Sequence, residues 1–229
     1  NIHNALKKYW GFESFRTKQE EIINDILVQK DTLALLPTGG GKSICYQIPA
    51  LVKEGICIVI SPLVALMKDQ TSKLQKHNIK AIALTGGLNQ HELDIALDNC
   101  IYGKIKLLYV SPERLESDLV RERIKKMNVN LIAVDEAHCI SQWGYDFRPS
   151  YLKIAEIRAL KPDSPILALT ATATKKVAKD IQDKLLFKKQ NVIQNSFRRP
   201  NLAYMALEES HKSTRVHKIL QKIKGPAII

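Results

Sequence analysis

The chain is poor in sulfur chemistry and has no membrane signature. Its four cysteines, Cys45, Cys57, Cys100 and Cys139, form no CxxC pair. A zinc ribbon and a redox dithiol are therefore poorly supported, and free thiols in a reducing compartment are the simpler reading. No apolar run approaches the roughly 20 residues that span a bilayer. The segment Asn1–Tyr9 lacks the apolar stretch of a secretory leader. Internal repeats and low-complexity linkers are missing too. These absences lead to the expectation of a soluble intracellular protein with no membrane partner, cytoplasmic in a bacterium or nuclear in a eukaryote. Abundant Lys and Ile favour the bacterium.

What is present is ordinary globular composition: 229 residues, 45% hydrophobic and 25% charged. That length suits one α/β domain and the start of a second. The net charge of +12 is unevenly placed. Residues 1–174 carry a balance of +3 and residues 175–229 a balance of +9. The basic last quarter fits a polyanionic partner, or equally a solvated lysine-rich helix surface.

Short β-branched apolar runs alternate with longer amphipathic stretches. Strands are predicted at Thr32–Leu36, Ile56–Ser61, Ala81–Leu84, Lys106–Val110, Leu131–Asp135 and Ile166–Thr170, with helices such as Leu63–Lys76 and Val177–Leu186 between them. This alternation predicts an α/β fold with a mostly parallel sheet and helices on both faces. Ligands collect at the carboxyl ends of the strands in such sheets, and the motifs lie where predicted strands end.

The strongest local signal is Thr38-Gly39-Gly40-Gly41-Lys42-Ser43, between an apolar strand and a plausible helix. Its glycines let backbone N–H groups turn inward around phosphate oxygens, and the helix start adds partial positive charge. Lys42 would reach the β/γ-phosphates and the Ser43 hydroxyl would ligate Mg²⁺. The strict phosphate-loop pattern has Gly where Leu36 stands, so this is a variant. Downstream, the apolar run Leu131–Val134 delivers Asp135-Glu136-Ala137-His138. Asp135 fits an Mg²⁺ ligand, Glu136 the group that orients and deprotonates water, and His138 a reporter of the nucleotide state. By itself this tetrapeptide reads equally as a capped loop. With Lys42 upstream, order and spacing point to ATP hydrolysis.

Taken together, these motifs resemble a superfamily 2 helicase and, more narrowly, the RecQ family of ATP-dependent DNA helicases, over essentially the whole chain. The resemblance implies a RecA-like P-loop NTPase fold. Phe12-x-x-Phe15-Arg16-x-x-Gln19 resembles the family's adenine-recognition motif: by resemblance Gln19 pairs with adenine, Arg16 assists and Phe12 packs on the base, while Phe15 reads as core. The stretches Ser61–Gln70, with Ser61 and Lys68, and Tyr109–Leu115, with Ser111 and Arg114, resemble its motifs Ia and Ib. Helix starts there can bind a DNA phosphate, and simple helix capping explains the serines equally well. Thr170 and Thr172 lie in a stretch that resembles motif III, which couples hydrolysis to DNA.

The most diagnostic segment is Gln142-Trp143-Gly144-Tyr145-Asp146-Phe147-Arg148, which resembles the family's aromatic-rich loop. Aromatic faces stack on unpaired bases at about 1–3 kcal/mol per base, and Arg148 would meet a phosphate or sense the nucleotide. The alternative is a half-buried aromatic cluster. The resemblance implies single-stranded and duplex DNA as partners, and unwinding in repair or recombination. It places a first RecA-like domain at 1–196 and a linker with the start of a second at 197–229, where Phe197–Leu202 resembles the transition between them. The rest of the second domain, with its arginine finger, has no counterpart in the sequence, so 229 residues alone are expected to be nearly inactive. Rival readings are an RNA helicase, a non-catalytic nucleic-acid-binding module and a P-loop kinase or transporter ATPase.

Overall fold

The computed structural model describes residues 1–144, 146–196, 202–223 and 225–227. It divides into two units, Asn1–Phe197 and Arg198–Ile229. Tyr145 and residues 197–201 of the expected interdomain transition lie outside the described residues.

In the first unit, α1 (Ile2–Trp10) and α2 (Gln19–Leu27) precede β1 (Thr32–Leu35). There follow α3 (Lys42–Val52), β2 (Ile56–Ile60), α4 (Val64–Lys76), β3 (Ala81–Leu84), α5 (Gln90–Tyr102) and β4 (Leu107–Val110). The unit continues with α6 (Asp118–Lys126), β5 (Val129–Val134), α7 (Ile154–Leu160), β6 (Ile166–Thr170), α8 (Lys175–Lys184) and β7 (Val192–Gln194). The second unit contains α9 (Lys212–Lys222).

The seven strands form one sheet in the order β3-β4-β2-β5-β6-β1-β7, and every pairing is parallel. Pleating explains why the buried strands are apolar along most of their length, with Thr32, Asn130 and Thr170 the buried polar exceptions at or near their ends. Leu33 and Leu35 of β1 and Ile132 and Val134 of β5 enter the core shared with α5, α6, α7 and α8. Their neighbours Ala34, Leu131 and Ala133 enter the core shared with α2, α3 and α4. A strand clad by helices on both sides has no face left for polar residues. All four cysteines are free and buried, as small apolar side chains.

The predicted strands Ala81–Leu84 and Ile166–Thr170 have the observed bounds, and the other four differ by one or two residues at an end. The exception is β7, which the sequence pattern did not reveal. It has three residues, only the central one buried, and it is held by pairing with β1 at the sheet edge.

The strand order brings the chemistry together. β5, β6 and β1 are neighbours, with Val134 opposite Ala168 and Leu35 opposite Thr170. The loops leaving their carboxyl ends carry Asp135, Thr170 and the glycine-rich segment. Sheet-like bonding continues past the strand ends: the Asp135 N–H donates to Ile60 O at 2.8 Å and the Leu36 N–H donates to Thr170 O at 3.2 Å.

At the opposite end, Asp31 is locked against Arg158. Arg158 Nη1 donates to Asp31 Oδ1 and Nη2 donates to Oδ2, each at 2.9 Å. The N–H groups of Ile166 and Lys188 also donate to the Asp31 carboxylate, at 2.8 and 2.7 Å. One buried carboxylate thus ties α7 to the amino ends of β1 and β6 and to the approach to β7.

Candidate nucleotide site and adjoining nucleic-acid face

The glycine-rich segment leaves β1 and turns into α3 with Gly39 at φ 77° and Gly41 at φ 73°. L side chains rarely adopt such angles. A Cβ on Gly40 would meet Pro37 O at 2.8 Å, and one on Gly41 would meet Gln19 Nε2 at 2.4 Å. The loop therefore needs glycine at these positions for conformation and for space. Lys42 and Ser43 open α3 and are half-buried. Backbone N–H groups at this helix start lack intrahelical partners, which makes the turn an anion site.

Gln19 and Arg16, expected from the sequence to meet adenine, close over this loop. Gln19 is buried; its Nε2 donates to Gly41 O at 3.0 Å and Gly40 O at 3.3 Å, and its Oε1 accepts from the Arg16 N–H at 2.8 Å. Arg16 Nη1 donates to Gly39 O at 2.7 Å. Both side chains thus hold the phosphate loop, and pairing with adenine requires Gln19 to exchange these partners. Beside them lies a pocket of about 360 Å³ lined by Phe12, Arg16, Gln19, Gly41 and Ile44 among others. Phe12 is 51% exposed there, as a ring that packs on a base must be. Phe15 instead packs on the small core of α1, α2 and α3 and edge-on to His3.

The acidic motif is shaped by an unusual backbone. Glu136 sits at φ 46°, ψ 45°, in the left-handed region. A non-glycine residue held there stores strain of about 1–3 kcal/mol, a feature that clusters at functional sites. Tyr151, fully buried, donates its hydroxyl to Asp135 O at 2.9 Å and braces the turn. Burial, and then the neighbouring Glu136 charge, push the Asp135 carboxyl up to about 6; Lys42 and the Glu136 N–H pull the other way without offsetting this.

Ser43 and Asp135 offer hydroxyl and carboxylate oxygens, the hard donors that Mg²⁺ takes. A carboxylate crowded by a second carboxylate is the environment that a divalent cation relieves, so the residues fit the ion. The raised value also has a stability consequence. A carboxyl whose folded value exceeds its unfolded one costs stability as pH rises from about 4 through 6. Asp135→Asn is therefore expected to stabilise the nucleotide-free fold by about 3 kcal/mol at pH 7.5. The gain should shrink as pH falls below 6. Thermal unfolding of both proteins across that range checks it; a gain independent of pH would contradict the assignment.

His138 is buried and links two motifs. Its Nδ1 lies 2.9 Å from Thr170 Oγ1 and 3.4 Å from Glu136 Oε2. Burial holds this imidazole below its usual value despite the pull of Glu136 and Asp146, so it is neutral at neutral pH. Thr170 Oγ1 also accepts from the Thr172 N–H at 3.3 Å. The end of β6 is thereby connected through His138 to Glu136.

The aromatic segment follows directly. Gly144 is packed so that a Cβ would meet His138 O at 2.8 Å. Trp143 is 63% exposed, with Lys176 Nζ 3.1 Å from its ring centroid. Phe147 is half-buried with Lys184 Nζ at 5.8 Å. Arg148 pairs with Asp146 at 3.2 Å, and Gln142 is exposed. Trp143, His138 and the segment 171–174 line an open pocket of about 420 Å³. The structure does not bear out side-chain capping by the two motif serines. The Ser61 hydroxyl is buried and Ser111 is nearly so, and neither makes a side-chain capping bond. Lys68 is exposed, and Arg114 Nη2 donates to Thr85 O at 3.0 Å.

Sequence reasoning missed Tyr46, Tyr109, Tyr151 and Lys176. Buried tyrosines look like core residues in a sequence, and Lys176 is one lysine among many.

The comparisons agree with this geometry. The model of the DEAD/DEAH box helicase family matches residues 16–181. The chain is 42% identical, over its whole length and 46% of the relative's, to the probable ATP-dependent DNA helicase RecS of Bacillus subtilis (strain 168). It is 46% identical, over 91% of its length and 34% of the relative's, to the ATP-dependent DNA helicase RecQ of Haemophilus influenzae. It thus spans about a third to a half of these relatives. The helicase domain of Pyrococcus furiosus Hef superposes on 78% of the chain and 38% of its own with a TM-score of 0.61 at 24% identity, and the DUF1998 helicase MrfA on 97% and 37% with 0.69 at 18%. These two establish the fold alone, a helix-clad parallel sheet. With the motif order and the family match in agreement, the chain belongs to the DEAD/DEAH box helicase family.

Proposed function

We propose that this chain is the ATP-binding motor domain of a RecQ-type ATP-dependent DNA helicase, acting with Mg²⁺ on single-stranded and duplex DNA in recombination or repair. The observation that carries this reading is the continuity from nucleotide site to aromatic loop. Glu136 meets His138, His138 meets Thr170, and the exposed Trp143 lies across one pocket from the segment that follows Thr170. The similarity to RecS and RecQ along nearly the whole chain supports DNA as the substrate class.

In this mechanism Lys42 and the backbone N–H groups around it hold the phosphates, and Gln19, Arg16 and Phe12 hold the base. Ser43 and Asp135 would hold Mg²⁺, which when bound would withdraw charge from the phosphate oxygens. Glu136 takes the proton from water. Bases stacked on Trp143 bias the pocket shared with residues 171–174, and Thr170 and His138 relay that bias to Glu136. Ser61, Lys68, Ser111, Arg114, Gln142, Phe147, Arg148 and Thr172 are assigned to DNA contact or coupling; the Ser61 hydroxyl is buried and its N–H donates to Val110 O at 3.1 Å, so at that motif a phosphate would meet the N–H groups of the helix start that follows.

Calorimetric titration of Mg-ATP tests the reading. Wild type should bind, and Lys42→Ala should lose binding. Absence of binding by the wild type would contradict the reading. Trp143→Ala is expected to lose DNA stimulation of turnover in the full-length protein while keeping its ATP affinity, since stacking contributes about 1–3 kcal/mol per base. Stimulation at the wild-type level would remove Trp143 from the coupling path. Matched DNA and RNA oligonucleotides in the same assay distinguish a DNA motor from an RNA motor.

A further inference from the structure

Beside the proposed cation ligands lies a second, small feature that the motifs do not account for. A cavity of about 20 Å³ is lined by Ser43, Tyr46, Ser61, Gln70, Tyr109 and Asp135 among others. That is enough for one water molecule and too little for anything larger. Ser61 is 2% exposed, and its Oγ has no hydrogen-bond partner among the described residues. A buried hydroxyl left unpaired is costly. The other walls are polar as well. The hydroxyls of Tyr46 and Tyr109 lie 3.3 Å apart, and both rings are buried. Tyr46 is also close enough to Ser43, one turn earlier on α3, and Tyr109 to Gln47, for each neighbour to favour the tyrosine's ionised form against burial. Gln47 Nε2 donates to Gln70 Oε1 at 3.2 Å, which ties α3 to α4 across the cavity.

We infer that the cavity holds one ordered water molecule bound to Ser61 Oγ, and that this water and the Tyr46–Tyr109 hydroxyl pair position Ser43 and Asp135 for the cation. The positioning half rests on the proposed ATP-site reading; the water itself does not. The site has the polar partners that a retained internal water needs, and an empty cavity would be apolar. Tyr46 and Tyr109 are thus positioning residues: they act through Ser43 and Asp135, not on the nucleotide.

Two conservative variants of the full-length protein test this. With the water bound, Ser61→Ala removes one of its partners and lowers the melting temperature by about 2–4 °C, the shift for roughly 1 kcal/mol in a domain of this size. An unchanged or raised melting temperature would mean that an idle hydroxyl had been removed, and would overturn the water. Tyr46→Phe should raise the Mg²⁺ concentration that half-saturates fluorescent-nucleotide binding about fivefold, the equivalent of one hydrogen bond. A lowered melting temperature with an unchanged Mg²⁺ requirement would make Tyr46 merely structural and overturn the positioning role. If Lys42→Ala abolishes nucleotide binding while Tyr46→Phe leaves the Mg²⁺ requirement alone, the positioning fails and the ATP site stands. Wild-type binding that needs no Mg²⁺ overturns both.

Discussion

Replacing Glu136 with Gln is expected to leave ATP binding near wild type and slow hydrolysis by about two to four orders of magnitude, the usual contribution of a general base. The Glu136 carboxylate lies 3.4 Å from His138 Nδ1. Its left-handed backbone turns the residue out of the line of β5 just beyond Asp135. Gln keeps the size and removes only the basicity. Asp135→Asn should behave differently, weakening Mg²⁺-dependent nucleotide binding because it alters a ligand. Nucleotide titration and single-turnover hydrolysis of the full-length protein separate the two variants. Turnover by Glu136→Gln within a fewfold of wild type would remove Glu136 from the chemistry.

The second large effect lies at the other end of the sheet. Asp31→Ala is expected to destabilise the fold by about 3–5 kcal/mol, because it leaves the Arg158 guanidinium buried without its partner. The Asp31 side chain is fully buried and that of Arg158 is 7% exposed. The loss extends beyond the ion pair, since the Ile166 and Lys188 N–H groups lose their acceptor as well. Asp31→Leu combined with Arg158→Leu should recover part of the loss, as replacing both members of a buried pair is far cheaper than removing one. Chemical unfolding of the two single variants and the double variant measures the coupling. A loss below 1 kcal/mol for Asp31→Ala would show that the contact is dispensable.

Much of this molecule is legible in its sequence because function and fold use the same signals. A run such as Leu131–Val134 is apolar at every position because helices cover both of its faces, and it ends in carboxylates because the strand's carboxyl end is the site. Gly39 and Gly41 are glycines for reasons of backbone angle, which survive translation into one-letter code. The features that stayed hidden depend on long-range packing. β7 has three residues and only Ile193 buried, too little to form a pattern. The Asp31–Arg158 pair joins residues 127 positions apart. Tyr46 and Tyr109 read as core from sequence and prove to be a hydroxyl pair beside the cation site. Ser61 follows a strand and precedes proline, which suggested capping or phosphate contact, yet its hydroxyl faces inward. No local pattern distinguishes a serine that turns in from one that turns out. Among the described residues, no helix is long and apolar enough to cross a membrane.

The central claim is that DNA on the aromatic face drives chemistry at the nucleotide site. The rate of ATP hydrolysis by the full-length protein, measured with and without a single-stranded DNA oligonucleotide, tests it most directly. The expected result is a large increase on adding DNA, a smaller one with RNA of the same sequence, and none in Lys42→Ala. An equal rate with and without DNA would contradict it.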